Sequence, residues 1–459
     1  MIKQEISQRL LSEFNDLKRT IKNISDEMNY PLKDIEKLTS GKFEMDLYTN
    51  FLLDFSKQYP VNISDLFFIK KNTTNGVLYF SAEESKKSSR ILSRTNKHGE
   101  FTPYYEYRDT AKSNISYFYP EWIEQLRVVD DSDPNNEDVV FNNGHLLHQY
   151  GLFVGPVNYY YELSGKKYCI EMNTGDTSYI SPYIKHTFTS RDPNKQAYIV
   201  AVTNGGLVKR NQKEFLDLGL NFLNKSIMPV EDRGKTIRKI IDEACKNELI
   251  SESNLNTRLK NSNETNKTLS DFYELNKVTT NDLIALSEII NISPGDIVIK
   301  QYETKEDVIN KFYDESQWEY YPDENNHHAR IFRTAETNDK LKNLKGFLIN
   351  VTGNSQTKFD NCFQFSLNLY IINFGENDVD IHWKYDNKEY KQTIKPSDSI
   401  SIDPYIEFIF TTTNSNNRLF LVATDTAITL ETKKELSFFK DPLKTITDDQ
   451  QWYKGKKGE

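Results

Sequence analysis

A mixed α and β chain built twice, a helical module followed by an antiparallel β barrel and then both again, is what three observations predict. A helical period of apolar residues runs through 1–75 and returns, with other residues, between 209 and 300. Each helical stretch gives way to short alternating apolar and aromatic runs broken by Gly, Asn and Asp, the pattern of antiparallel strands. The run Gly175 to Phe188 also lines up without gaps on Ser397 to Phe410.

In the first module (1–75), Ile6, Leu10, Leu11, Phe14 and Leu17 fall on one helical stripe. A turn-bearing segment at Ile24 to Ile35, a helix ending near Phe55 and a closing segment at Val61 to Leu66 follow. Short helices joined by tight polar turns resemble the helix-turn-helix bundles of small bacterial regulators. The first barrel spans 76–208. In the second module (209–300), Ile237, Ile240 and Ile241 open a helix, Leu249 to Leu255 carries the turn, and Ile290 to Ile297 echoes the closing segment. The second barrel and a polar tail occupy 301–459.

Bulk properties bound the function. At 459 residues the chain exceeds one ordinary core, and 37% hydrophobic residues with 27 Tyr and 27 Phe supply material for several. A formal charge of -9 without a dense basic stripe argues against nucleic acid as a partner. Cys169, Cys245 and Cys362 are too few and too scattered for a disulfide framework or a thiolate metal site, which fits a reducing, cytoplasmic setting. No basic-then-apolar leader pattern and no membrane-length apolar run is expected to act.

The chemistry concentrates in two stretches of the first barrel, Asn142-Asn143-Gly144-His145 with Gln149 following, and Tyr179 to His186. Strand side chains alternate faces, so His145 shares its face with residues 147 and 149 while His148 points away. Gln149 is then the polar neighbour of His145. An amide oxygen is a neutral donor that Fe(II) accepts, more weakly than a carboxylate; the alternative is a simple hydrogen bond to a neighbour. The gapless alignment puts Phe408 on His186, and the strand beginning at Phe363 has no histidine. The second barrel therefore lacks this site and is expected to pack and stabilise.

These residues and the doubled layout resemble the cupin (double-stranded β-helix) oxygenases of the hydroxyethylphosphonate dioxygenase and methylphosphonate synthase family, over essentially the whole chain. The dioxygenases complete a two-histidine iron site with a glutamate six residues before the second histidine. Here that position is Ile180. The synthases use an apolar residue there and a glutamine four residues after the first histidine, which is Gln149. The resemblance thus implies His145, Gln149 and His186 as ligands of Fe(II), and Arg94, Tyr107 and Asn142 as phosphonate contacts, arginine forks and phenols being suited to phosphonate oxygens. A surface salt bridge for Arg94 and a core position for Tyr107 are the alternatives. Lys18, with Lys22 as fallback, matches a family lysine that reaches an active site of a neighbouring subunit in a homo-oligomer; a solvated lysine is the plain alternative.

The reaction this implies takes 2-hydroxyethylphosphonate and O2 to methylphosphonate and carbon dioxide or bicarbonate. A cupin with another metal and a small polar substrate is one alternative, because histidine and amide ligands do not uniquely choose iron over manganese, cobalt or nickel, and two further readings compete with it. One is the sister dioxygenase, which releases hydroxymethylphosphonate and formate. The other is a helix-turn-helix/cupin transcription regulator, disfavoured by weakly basic segments such as Pro31 to Lys37.

Overall fold

The central strands of the larger sheets, such as Tyr198–Asn204, Asn368–Asn373 and Leu419–Thr424, are buried on both faces and rich in apolar residues. The computed structural model describes residues 2–66, 71–299, 307–325, 327–335, 344–352, 359, 362–424 and 428–447; the polar tail from Gln450 lies outside them. The architecture is mixed α and β with several antiparallel sheets, and the chain divides into two units. One unit holds the first helical segment; the other, Asn75–Lys112 with Tyr117–Thr424, holds every strand and the second helical segment.

Strand β1 (Val77–Phe80) precedes a first set: β2 (Arg90–Thr95), β3 (Phe101–Asp109), β4 (Phe118–Gln125), β5 (His148–Val154), β6 (Val157–Leu163), β7 (Lys166–Met172), β8 (Thr177–Ile180), β9 (Lys185–Ser190) and β10 (Tyr198–Asn204). After the second helical segment come β11 (Val308–Lys311), β12 (Glu319–Tyr321), β13 (Ala329–Arg333), β14 (Lys345–Val351), β15 (Asn368–Asn373), β16 (Val379–Tyr385), β17 (Lys388–Ile394), β18 (Ser399–Ile402), β19 (Glu407–Thr411) and β20 (Leu419–Thr424). They form a seven-stranded sheet β11-β8-β5-β10-β4-β3-β2 with a three-stranded sheet β7-β6-β9, and a matching pair β1-β18-β15-β20-β14-β13-β12 with β17-β16-β19.

The two large sheets exchange an edge strand. β1 pairs with β18, and β11 pairs with β8, all antiparallel, so an edge that would otherwise invite foreign pairing is covered from the other half of the chain. Side-chain alternation divides the cores. Tyr150, Leu152, Val200 and Val202 turn outward and meet Leu348, Tyr370, Phe420 and Val422 in one shared apolar layer. Phe153, Ile180, Ile199 and Ala201 turn inward and meet Val157, Tyr159, Met172 and Phe188 of the small sheet.

Strand register extends the internal repeat. Gln149 pairs with Ile180 across β5 and β8, and Leu369 pairs with Ile402 across β15 and β18. Carried along both strands, this register sets Phe365 where the first half has His145, and Phe408 where it has His186. Phe363, Phe365, Phe408 and Phe410 pack together there, with the Phe365 and Phe408 rings stacked 6.5 Å apart. The absence of a histidine pair expected for the second half is thus matched by an aromatic core.

The helical segments share a local device as well. The helix Ile2–Asp16 ends with Lys18 left-handed at φ 55, and Arg19 N–H returns 2.8 Å to the Phe14 carbonyl. The helix Arg233–Asn247 ends with Leu249 at φ 55 and Ile250 N–H 2.8 Å from the Cys245 carbonyl. In each, the hydroxyl of the next residue but one, Thr20 or Ser251, caps the following helix, so the chain stops and restarts within about four residues. The first segment closes around Leu10, Phe14, Ile35, Tyr48, Phe51 and Phe55, the second around Ile237, Ile241, Leu255, Phe272, Leu286 and Ile290. No described helix is long and apolar enough to cross a membrane.

Because Phe408 is fully buried among aromatic rings, Phe408→Ala should destabilise the fold by about 3–5 kcal/mol in urea unfolding. The metal content of the folded protein should not change; a loss of bound metal would contradict the separation of the two halves.

Candidate metal centre

A cavity of about 210 Å3 opens inside the first pair of sheets. Its wall includes Arg94, Tyr107, Asn142, His145, Gln149 and His186, which are six of the seven residues singled out from the sequence. The seventh, Lys18, belongs to the other unit, where its ammonium lies 2.7 Å from the Asp16 carbonyl and the side chain is exposed. His145 stands in the turn before β5, which begins only at His148. The alternation still holds: Leu147 and Gln149 line the cavity with His145, while His148 turns to the Tyr179 hydroxyl at 2.7 Å.

The turn is fixed by backbone geometry. Gly144 is left-handed at φ 73, and a Cβ there would fall 2.6–2.7 Å from the Tyr183 backbone, an approach only glycine allows. Tyr183 N–H donates 2.8 Å to the His145 carbonyl. Asn142 Oδ1 accepts from His186 N–H at 2.9 Å and Gly144 N–H at 3.0 Å, stitching the turn to β9.

Both imidazoles are held the same way. His145 Nδ1 lies 2.9 Å from the Leu147 carbonyl and His186 Nδ1 lies 2.8 Å from the Ile184 carbonyl. A carbonyl can only accept, so the His186 Nδ1 carries the proton and its Nε2 keeps its lone pair, while the His145 Nδ1 also lies 3.3 Å from the Leu147 N–H. The rings stand edge to face with centroids 5.3 Å apart. Asn142 Nδ2 donates to His186 Nε2 at 3.1 Å. Burial pulls the His186 pKa down to about 4 against the small raising effect of the Ile184 carbonyl, and the nearby His145 and Arg94 lower it further. His186 therefore stays neutral at physiological pH.

Gln149 is 6% exposed, and its amide has no hydrogen-bond partner among the described residues. Its amide lines the cavity, where water or a ligand can take up its N–H and C=O groups. Directly opposite, Ile180 is 1% exposed within the apolar inner core, with Val308 of β11 on its other side. Among the described residues no group of three His, Cys, Asp or Glu side chains could hold a metal. Two imidazole nitrogens and an amide oxygen would fit a divalent first-row ion.

Arg94 lies over the rings of Tyr104 and Tyr105, its guanidinium carbon 4.8 and 4.9 Å from their centroids. One of its Nη groups donates to the Val140 carbonyl and, at 3.0 Å, to Thr187 Oγ1. Its remaining N–H groups are left for the cavity. Burial raises the Tyr107 pKa, so the phenol keeps its proton as a donor.

Two cavity residues escaped the sequence reading. Tyr105 accepts from Phe188 N–H and bonds Thr187 Oγ1, both at 2.8 Å, fixing the strand that carries His186. Glu121 is the acid in the wall. Burial raises its pKa, while Lys112 and Arg90 hold it down, Arg90 standing 3.7 Å away and also 3.1 Å from Asp109. The inward parity of Glu121 with Ile123 on β4 is its signal in sequence, but nothing local says that β4 borders the cavity.

In a mixed α and β protein of paired antiparallel sheets, two histidines and an amide converging beside an arginine and phenols are suited to the class of mononuclear metal proteins that take an oxyanion. The comparisons sharpen this. No protein-family model matches the chain. Methylphosphonate synthase of Nitrosopumilus maritimus (strain SCM1) is 30% identical over 449 residues, 96% of this chain and 94% of that one. The structure of Streptomyces albus HEPD, 2-hydroxyethylphosphonate dioxygenase, with its substrate 2-hydroxyethylphosphonate and Fe(II) bound, superposes with a TM-score of 0.86 at 27% identity, covering 98% of this chain and 99% of that one. PhpD in complex with cadmium and its phosphonate ligand shares the fold, with a TM-score of 0.70 at 15% identity over 97% of this chain and 99% of its own. The chain belongs to the methylphosphonate synthase and hydroxyethylphosphonate dioxygenase family of non-heme iron oxygenases.

His186 makes stability of the metal-free protein depend on pH. Its folded pKa lies below the ordinary histidine value, so its contribution is intact above about pH 6.5 and erodes as pH falls toward 4, where the unfolded chain takes a proton that the fold refuses. The loss should approach about 3 kcal/mol in unfolding titrations at pH 7 and pH 4. His186→Phe should flatten that dependence; an unchanged slope would contradict the assignment.

Proposed function

We propose that this chain is a methylphosphonate synthase, converting 2-hydroxyethylphosphonate and O2 to methylphosphonate and carbon dioxide or bicarbonate. The observation that carries the proposal is Gln149, a buried and unpartnered amide beside two oriented histidines, paired across the sheet with an isoleucine. In atoms the reaction balances as substrate plus O2 giving methylphosphonate, CO2 and water, with all four electrons drawn from the substrate. Neither 2-oxoglutarate nor a reductase is then required.

His145, His186 and Gln149 would hold Fe(II). Bound there, ferrous iron supplies dioxygen activation and a Lewis-acid anchor for the substrate oxygens. Three neutral donors leave the site's full positive charge to be balanced by the phosphonate dianion, an attraction strengthened in a poorly solvated cavity. Arg94, Tyr107 and Asn142 orient the phosphonate through N–H and O–H donors. Ile123, Leu147, Phe188 and Ala201 form the apolar part of the wall and keep water off the reacting carbons. Lys18, donated from a neighbouring subunit of a homo-oligomer, would hold the one-carbon fragment so that its hydrogen passes to the phosphonate-bearing carbon rather than oxygen doing so.

We read each pair of large and small sheets as a cupin barrel, the second degenerate, and the segments at 1–75 and 209–300 as helix-turn-helix-like modules serving packing rather than DNA. The four-part division 1–75, 76–208, 209–300 and 301–459 goes with that reading. Three free cysteines fit a cytoplasmic protein.

Phosphorus NMR after incubation with Fe(II), air and 2-hydroxyethylphosphonate should find methylphosphonate as the product. Hydroxymethylphosphonate in its place would make the chain the sister dioxygenase, and no turnover would end the proposal. Gln149→Ala should weaken iron loading on the order of 10–100-fold by metal analysis, with matching loss of product.

A further inference from the structure

A second cavity, of about 270 Å3, opens where the segment from β11 to β12 meets β13, β14 and the turn before β20. Tyr313, Glu315, Trp318, Arg330, Asn350 and Arg418 shape it. Glu315 is committed within the wall: Arg330 Nη2 lies 2.7 Å from Oε1, and the Tyr313 hydroxyl donates to Oε2. Trp318 Nε1–H in turn donates to the Tyr313 oxygen at 3.3 Å, with the Arg330 guanidinium carbon 5.3 Å from the Trp318 ring. The charge of Arg330 is thereby met by Glu315.

Arg418 is different. It lies half-buried over the Tyr313 ring, its guanidinium carbon 5.3 Å from the centroid, and the guanidinium has no hydrogen bond or ion pair among the described residues. Glu315 feels its charge at longer range but is already satisfied by other donors. The turn that carries Arg418 is rigid. Asn350 Nδ2 donates 2.9 Å to the Ser415 carbonyl and 2.7 Å to the Asn417 carbonyl, while the buried Asn417 side chain pairs with both backbone groups of Val351 at 2.7 and 2.9 Å. A planar fork of N–H donors, pre-placed on an aromatic shelf with one positive charge in excess, is suited to a compact oxyanion and pays little ordering entropy on binding. The volume admits a phosphate or a one- to two-carbon phosphonate and little more.

We propose that this cavity is a second oxyanion site, taking inorganic phosphate or a short alkylphosphonate on Arg418 above the Tyr313 and Trp318 rings. It stands apart from the cavity of His145 and His186, shares no residue with it, and does not rest on the proposed reaction.

The test is tryptophan fluorescence of the full chain carrying Arg94→Gln, which weakens the anion grip of the first cavity. Inorganic phosphate and methylphosphonate are titrated separately, with sodium chloride holding the ionic strength. A saturable change is expected for at least one of the two, and which one responds identifies the source of the oxyanion. Adding Arg418→Gln should weaken it on the order of tenfold, and Trp318→Phe should remove most of its amplitude. Arg418→Lys keeps the charge without the fork and should also bind more weakly. Equal titration curves with and without Arg418, or no saturable change with either anion, would overturn the proposal.

Discussion

The pairing of Gln149 with Ile180 across β5 and β8 is the constraint on which the account of this protein depends. Residues opposite one another on antiparallel strands put their side chains on the same face with Cβ atoms about 5 Å apart. A metal-binding group at either position therefore reaches the same space between His145 and His186. Ile180 joins the apolar core and cannot bind a metal, which leaves Gln149 opposite it as the proposed donor. Under the proposed reading the amide at 149 and the apolar residue at 180 go together, which is why the two positions carry more information together than apart.

The duplicated half shows the same positions without polar side chains. Phe365, Leu369, Ile402 and Phe408 hold the positions of His145, Gln149, Ile180 and His186, and all are apolar. Filling that space with aromatic rings returns the free energy of burying them, whereas the first half leaves an amide and two imidazoles facing a cavity and bears the cost of their desolvation. The exchange of β1 and β11 and the apolar layer between the two large sheets bind the halves into one unit. A polar cavity on one side is in this way supported by packing on the other.

Much of this was legible in the sequence because it depends on short-range periodicity. Strand parity separated His145 and Gln149 from His148, and the gapless alignment put Phe408 opposite His186 before any strand was placed. The Asn-Asn-Gly-His run reads as the entry from a turn into a strand, and the histidine stands in that glycine turn, three residues before the strand begins. What stayed hidden depends on contacts between distant segments. Nothing near Glu121 or Tyr105 says which strands will border the cavity, and β1 and β11 pair with strands far away along the chain, across a boundary that composition alone would draw between the halves. The hydrogen bonds of Asn142 to β9 were equally invisible, although the residue itself stood out.

The most direct test of the central claim is anomalous X-ray scattering at the iron edge from crystals of the Fe(II)-loaded protein. One iron per chain is expected, bounded by His145 Nε2, His186 Nε2 and the Gln149 amide oxygen, with none among the phenylalanines of the second half. Iron completed by Glu121 or another carboxylate, or lying anywhere but between those two histidines, would contradict it.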